Sequence, residues 1–298
     1  MSPVTDHASG ECRSLTDGGN DKWVTIEADG ALMVRRHGDR GPCVIVLHGG
    51  PAAYGSACAL AQGIAGSFSV FEPWQRKSGG EPLTVERHLR DLNAVADTVS
   101  PEGSFALVGE SWGAMLALAY AARYPGRAAA LALIGCGTFD EISRACMTST
   151  IEARMDDGVR DRLSLLTDES CDSASDLVAR YRLILPLFHK DPVEPPALPG
   201  ESFDLRGHRE SMEDMLRLER DGVHPAAFSA VDAPVLMLHG DYDPHPGKMI
   251  YESLSRHIHR IEYHELKNCG HSPWNERAAH DEFYTILSAW LFECLSAG

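Results

Sequence analysis

Apolar and polar positions alternate along this chain in a way that separates short strand-like runs from longer helical ones. Cys43-Val-Ile-Val-Leu47 is apolar throughout, which suits a strand covered on both faces. Phe68–Phe71, Phe105–Val108, Leu131–Ile134 and the run Pro234-Val-Leu-Met-Leu-His-Gly240 have the same character, and Arg260–Leu266 reads as one more strand. Near the start, Trp23–Ala28 and Leu32–Arg36 flank Asp29-Gly30, a hairpin signal. Between strands, Thr84–Val99 carries Val85, Leu89, Leu92, Val95, Ala96 and Val99 on one stripe, the signature of a helix packed on a core. An alanine- and leucine-rich segment ends near Tyr124-Pro125, and Lys248–His257 and Ala278–Leu295 are further helices. In the last of these, Phe283, Ile286, Leu287, Trp290, Leu291 and Cys294 form the apolar stripe. Strand and helix in alternation predict an α/β fold, a mostly parallel sheet flanked by helices.

The pattern changes between residues 139 and 230. Strand-like runs vanish, and charged helical segments take their place at Thr150–Leu165, Ser175–Phe188 and Glu210–Arg220, with a proline-rich joint at Pro192–Pro199. This region holds 11 basic and 19 acidic residues, so it carries −8 of the chain's net −16. An inserted helical cap is the expected meaning, because long structureless stretches inside a domain are uncommon; an irregular part of the main domain is the alternative. The expected organisation is a loose polar tail at 1–21, a first core part at 22–138, the cap at 139–230 and a second core part at 231–298.

Charge and cysteine usage narrow the partners. With 27 basic against 43 acidic residues, the surface would repel nucleic acid and anionic membranes, so neither is expected as a partner. Eight cysteines without a C-x-x-C pair point to reduced thiols in a cytoplasmic protein rather than to disulfides or a zinc site. The first residues lack the basic and apolar regions of a signal peptide, and no apolar run is long enough to span a bilayer. No cofactor or metal is called for.

The candidate chemistry centres on Gly109-Glu-Ser-Trp-Gly113, between an apolar strand and a helix. A serine between two glycines at such a reversal is a nucleophile elbow, whose tight turn leaves no room for flanking side chains. A serine hydroxyl needs a base to take its proton and a third group to orient that base. Asp243 follows the strand that ends His239-Gly240, and His271 follows the last strand, so the order Ser111, Asp243, His271 fits strand-end positions. Asp241 is the rival acid, and one of the two is expected to form the turn. His264, inside a strand, and His280, inside a helix, are worse placed. Two donors must hold the anionic oxygen of a tetrahedral intermediate. The backbone N–H of Trp112 is one candidate, and that of Gly50, in His48-Gly-Gly-Pro51 after the 43–47 strand, is the other. His48, Gly49, Tyr54, Glu110, Trp74 and Trp274 lie in or beside these motifs and are candidate substrate-binding residues.

These motifs together resemble the α/β-hydrolase superfamily over the whole chain. His48-Gly-Gly-Pro51, Gly109-Glu-Ser-Trp-Gly113, Gly240-Asp-Tyr-Asp243 and Gly270-His-Ser-Pro273 are most similar to its proline iminopeptidase branch. The resemblance implies a helical cap, a triad of Ser111, Asp243 and His271, and oxyanion donors at Gly50 and Trp112. Two features depart from that branch. Its usual Asp-Gln-Arg-Gly run is replaced by Phe71-Glu-Pro-Trp-Gln-Arg-Lys-Ser-Gly79, and the cap lacks the tryptophan that lies beside glutamate where the branch holds a free amine.

The expected activity is therefore hydrolysis of a carboxylic ester or lactone through an acyl-enzyme. The small residues of 52–61 would leave space beside the oxyanion donors, and an acidic cap would favour a cation. A bulky cationic natural product such as a macrolide would meet both conditions. The alternative meaning is that the small residues pack a helix and the acids solvate the cap. A proline iminopeptidase-like aminopeptidase is the competing enzyme, and a noncatalytic ligand-binding protein of this fold is the competing class.

Overall fold

The computed structural model describes residues 22–101, 103–166, 173–195 and 203–296. The expected tail, part of the proline-rich joint, and Cys12 and Cys171 lie outside the described residues.

Eight strands form one sheet: β1 (Lys22–Ala28), β2 (Gly30–His37), β3 (Cys43–Leu47), β4 (Ser69–Pro73), β5 (Phe105–Glu110), β6 (Ala130–Ile134), β7 (Val235–Gly240) and β8 (Ile261–Leu266). Their spatial order is β1-β2-β4-β3-β5-β6-β7-β8. The hairpin β1/β2 and the pair β2/β4 are antiparallel, and every other pairing is parallel. The mostly parallel sheet read from the sequence is the one observed.

The all-apolar strands are two-sided, and alternate residues serve opposite layers. Ile45, Leu47, Phe105, Leu107, Val235 and Met237 face the core shared with α2 (Val85–Val99) and α3 (Trp112–Arg123). Val44, Val46, Ala106, Val108, Leu236 and Leu238 face the other core, filled by α1 (Cys58–Ile64) and α9 (His280–Ser296). The stripe expected in the last helix is real: Phe283, Leu287 and Leu291 are fully buried there. Of the 52–61 stretch, expected to leave space beside the oxyanion donors, the second half packs a helix, the stated alternative. Ala57, Cys58, Leu60 and Ala61 are buried as α1 meets the sheet and α9, which is what small side chains permit.

Between β6 and β7 the described residues are helical: α4 (Glu141–Arg154), α5 (Asp157–Ser164), α6 (Ala174–Ile184) and α7 (Leu205–Arg220), with α8 (Gly247–Leu254) following β7. Thr150–Leu165, expected as one helix, is broken. Met155 is extended, and the Asp156 side chain accepts from the Val159 N–H, capping a new helix. The segment expected to run to Phe188 leaves α-helical geometry after Ile184 and tightens into a 3₁₀ turn containing Pro186. Helix α7 begins five residues before the charged segment expected at Glu210–Arg220, capped by Asp204, whose carboxylate accepts from the Gly207 N–H. No described helix is long and apolar enough to cross a membrane.

Candidate active site

Ser111 stands between the last residue of β5 and the first of α3, with φ 51° and ψ −115°. A non-glycine residue in that region is strained, and here the strain turns the chain from strand to helix within one residue. The flanking glycines are explained by space. A Cβ on Gly109 would lie 2.3 Å from the Gly113 carbonyl oxygen, and one on Gly113 would lie 2.3 Å from the Leu47 carbonyl oxygen. The Ser111 N–H donates to the Ile134 carbonyl at the end of β6 (2.8 Å), pinning the elbow to the neighbouring strand.

Asp243 and His271 come together from the loops after β7 and β8. The His271 Nδ1–H donates to Asp243 Oδ2 at 2.8 Å. That bond fixes the tautomer, so the neutral ring carries its free lone pair on Nε2. A Cβ on Gly135, which follows Ile134, would lie 2.8 Å from His271 Nδ1. The imidazole therefore packs against the same strand end that holds the Ser111 amide. Asp243 is buried and also accepts from the backbone N–H (2.9 Å) and Nδ1–H (3.1 Å) of His245. Burial by itself would raise its pKa, but the two imidazoles and their hydrogen bonds hold it well below the usual carboxylate range. His271 is shifted the opposite way. Burial works against its cation, yet the charge and hydrogen bond of Asp243, with Glu110 adding to them, raise its pKa above 6.5.

Asp241, the rival acid, bonds to a different group. Asp241 Oδ1 accepts from the Cys269 N–H at 3.2 Å and so joins the two loops. His264 and His280 are exposed, the latter bonded to Asp281.

The loop after β3 treats its two glycines differently. Gly49 is buried and its N–H donates to Glu110 Oε1 at 2.9 Å, so that amide is already engaged. Gly50 is exposed, with φ 118°, and a Cβ there would meet the Ala53 nitrogen at 2.7 Å. Trp112 opens α3, where a backbone N–H has no intrahelical acceptor.

Several other residues expected near substrate have structural partners. His48 is fully buried: its Nδ1–H donates to the Gly49 carbonyl (2.8 Å), and its Nε2 accepts from the Gln75 N–H (3.2 Å). Burial lowers its pKa and keeps it in that neutral form. Gln75 in turn accepts from Trp112 Nε1 at 2.9 Å, so the run that replaces Asp-Gln-Arg-Gly braces the elbow helix. Tyr54 and Trp74 continue an aromatic row from His48 to Trp23, with centroid spacings of 5.4, 5.9 and 4.9 Å. Trp274 lies apart from these groups and packs on Phe283 at the α1/α9 layer.

Four residues around the site have no sequence signal of their own. His245 stacks on His271 at 4.7 Å, and Phe188 from the helical insertion packs its ring against both. The His271 N–H donates to the Phe188 carbonyl at 2.9 Å. Glu276 is buried and accepts from the Lys190 and Asp191 N–H groups, tying that end of the insertion to the histidine loop. Arg154 stacks 3.7 Å over Tyr242 and donates to the Leu187 and Tyr242 carbonyls, fastening α4 to the Asp243 loop. Among the described residues, two groups have metal-ligand character, His37–Cys58–Glu72 and Asp243–His245–His271. In the first, the Arg35 guanidinium already pairs with Glu72 at 2.8 Å; the second is the hydrogen-bonded acid and its two imidazoles.

A parallel sheet with antiparallel strands at one edge, a serine at a strained strand-to-helix turn, and an acid and a histidine on later loops define a hydrolase-type α/β protein. The model of the alpha/beta hydrolase family matches residues 44–284, and the chain belongs to that family. Solved structures agree at the level of the fold. A proline iminopeptidase from Mycobacterium smegmatis is 18% identical with a TM-score of 0.62, covering 93% of this chain and 99% of that one. A thermophilic esterase from Thermogutta terrifontis is 18% identical with a TM-score of 0.61, covering 92% and 99%. Among curated proteins, a cis-3-alkyl-4-alkyloxetan-2-one decarboxylase from Shewanella oneidensis is 35% identical over 60 residues. That match spans about a fifth of each chain, 20% of this one and 19% of the relative.

Proposed function

We propose that this protein is a serine hydrolase that cleaves a carboxylic ester or lactone. The observation that carries the reading is the 2.8 Å bond from His271 Nδ1–H to Asp243, which leaves Nε2 as the acceptor of a ring packed on Gly135, beside the Ile134 carbonyl that takes the Ser111 amide. In the proposed cycle, Ser111 Oγ attacks the carbonyl carbon and its proton passes to His271 Nε2. Asp243 stabilises the resulting imidazolium, and the Gly50 and Trp112 amides hold the oxyanion. The carbon–oxygen bond to the leaving group breaks as His271 returns the proton to that oxygen, leaving an acyl-Ser111. Water, deprotonated by the same imidazole, releases the acid and restores the hydroxyl.

The choice of ester over peptide rests on the helical insertion. It contains no tryptophan, and the carboxylates of Asp204, Glu210 and Asp214 each accept hydrogen bonds from the 78–85 segment. They are occupied rather than waiting for a free amine. The partial curated relative is named for an oxetan-2-one, a four-membered lactone, so strained lactones belong among the substrates to test.

The test is a panel of aryl esters, β-lactones and macrolactones against residue-anilides with a free amine, run beside fluorophosphonate labelling. Ester or lactone turnover that disappears in Ser111→Ala, with labelling confined to Ser111, is the expected result. Preference for anilides would replace the reading with an aminopeptidase. A wild-type protein that neither labels nor turns over would make it a ligand-binding protein.

A further inference from the structure

Glu110 is a buried acid that the proposed cycle does not use. It is the last residue of β5, directly before the nucleophile, and is only 8% exposed. Burying a carboxyl is costly unless donors are supplied, and here both donors come from one loop. Its Oε1 accepts from the Gly49 N–H at 2.9 Å and from the Ser56 hydroxyl. Gly49 begins the turn after β3, and Ser56 closes it two residues before α1. One oxygen therefore ties together both ends of the segment that contains Gly50. The packing leaves little slack, since a Cβ on Gly49 would lie 3.1 Å from Glu110 Oε1 and 3.4 Å from Ser111 Cβ. Oε2 has no hydrogen bond among the described residues.

We propose that Glu110 is a positioning residue for ester or lactone hydrolysis, holding the 49–56 loop so that the Gly50 amide keeps its place opposite Ser111. The physical reason is covalent economy of distance. Glu110 and Ser111 are adjacent, so a loop fastened to the first has a fixed spacing from the hydroxyl of the second. An oxyanion donor stabilises the transition state far more than the ground state. Loss of the fastening therefore lowers kcat and leaves KM nearly unchanged. The proposal rests on the serine-hydrolase reading above.

The test uses the full chain with its best ester or lactone substrate. Removing an oxyanion donor outright costs about 10²–10³ in kcat, so Glu110→Ala, which releases the donor's loop, is expected to lose roughly 10²-fold in kcat. Affinity for an aryl boronate, which mimics the tetrahedral adduct, should weaken in parallel while KM stays put. Glu110→Gln keeps the acceptor oxygen and is expected to recover most of the lost kcat. Ser56→Ala removes one of the two bonds and should lie between wild type and Glu110→Ala. Wild-type kcat in Glu110→Ala would overturn the proposal, as would Glu110→Gln being as impaired as the alanine variant. If Glu110→Ala does not fold by circular dichroism, the other two variants decide it: unchanged kcat in Ser56→Ala, or a severe loss in Glu110→Gln, overturns it. Absence of Ser111-dependent turnover in the wild type would instead sink the functional reading itself.

Discussion

The acidic charge of the helical insertion invites a reading as a lure for cationic substrates, and α7 allows that reading to be tested. Asp214 Oδ2 accepts from the Val85 N–H at 2.8 Å, and Glu210 Oε2 accepts from the Leu83 N–H at 2.8 Å. The other oxygen of each carboxylate faces an arginine of the same helix: Arg217 at 2.9 Å from Asp214, and Arg206 at 2.7 Å from Glu210. The two side chains are 12% and 18% exposed. Both acids are thus neutralised in place, and they cap the start of α2 from outside it. A hydrogen bond to a charged acceptor contributes about 1.5–3 kcal/mol, and an exposed helical ion pair adds only about 0.3–0.5 kcal/mol. Asp214→Ala or Glu210→Ala should therefore cost about 2–3 kcal/mol each. For a chain of this size that lowers Tm by roughly 4–10 °C. Because the two sites are one turn apart, their effects will couple rather than add. Asp214→Asn and Glu210→Gln retain an acceptor and should lose about half as much, since charge-assisted bonds are roughly twice as strong as neutral ones.

The decisive assay compares a neutral ester with its quaternary-ammonium analogue in the Glu210→Gln/Asp214→Asn double variant. With both carboxylates engaged structurally, the ratio of the two KM values should stay within about threefold of wild type, a difference under 1 kcal/mol. A free carboxylate about 4 Å from a bound cation would contribute about 1 kcal/mol even at the dielectric of water. A tenfold or larger rise in KM confined to the cationic ester would refute the purely structural role of the two acids and restore the electrostatic lure.

Three further outcomes are expected. Because His271 must be neutral to accept a proton and its pKa is raised, kcat/KM should fall on the acid side with a midpoint above 6.5. Asp243→Asn should move that limb to lower pH and cut kcat by about 10⁴-fold, whereas a wild-type midpoint below 6.5 would contradict the assignment. Gly135→Ala places a methyl group 2.8 Å from His271 Nδ1 at a residue with φ 53°, so kcat/KM should drop by at least ~10²-fold through a displaced imidazole; unchanged kinetics with a native melt would exclude the crowding. Phe283→Ala empties a fully buried site between α9 and the sheet and should cost about 3–5 kcal/mol in urea denaturation, with kcat unaffected in the folded fraction.

What could be read directly from the chain was whatever a residue imposes on its own surroundings. The runs at 43–47 and 131–134 signalled strands because every position is apolar, and burial on both faces follows from that alone. Gly109 and Gly113 signalled the elbow because any Cβ there would strike backbone. Asp243 and His271 were legible through their place after strands. Partners far apart in sequence were not legible. Nothing in Gly-Glu-Ser-Trp-Gly says that Glu110 reaches Gly49 and Ser56, 61 and 54 positions away. His48 looked like a substrate contact because it stands beside a glycine pair, yet its two ring nitrogens are satisfied by Gly49 and Gln75. The break at Met155-Asp156 was hidden for a related reason: an aspartate within a charged helix and an aspartate capping a new one have the same composition.

The helical insertion and the acid–histidine pair are mechanically joined. Arg154 of α4 holds the Tyr242 carbonyl, one residue before Asp243, and stacks on the Tyr242 ring. Phe188 receives the His271 N–H, and Glu276 gathers the N–H groups of Lys190 and Asp191. At the other end, α7 holds the start of α2 and, through Asp204, the 78–85 segment. It also reaches the loop after β3, where the His208 Nδ1–H donates to the Pro51 carbonyl at 3.0 Å. The Arg154 and Phe188 contacts join the loops that carry Asp243 and His271, so displacing them would move the pair bonded at 2.8 Å. Changes there should therefore register in kcat as well as in substrate choice, and the distinction is measurable: loss of the Arg154 or Glu276 contacts should lower kcat, and loss of the Asp204, Glu210 or Asp214 contacts should lower Tm.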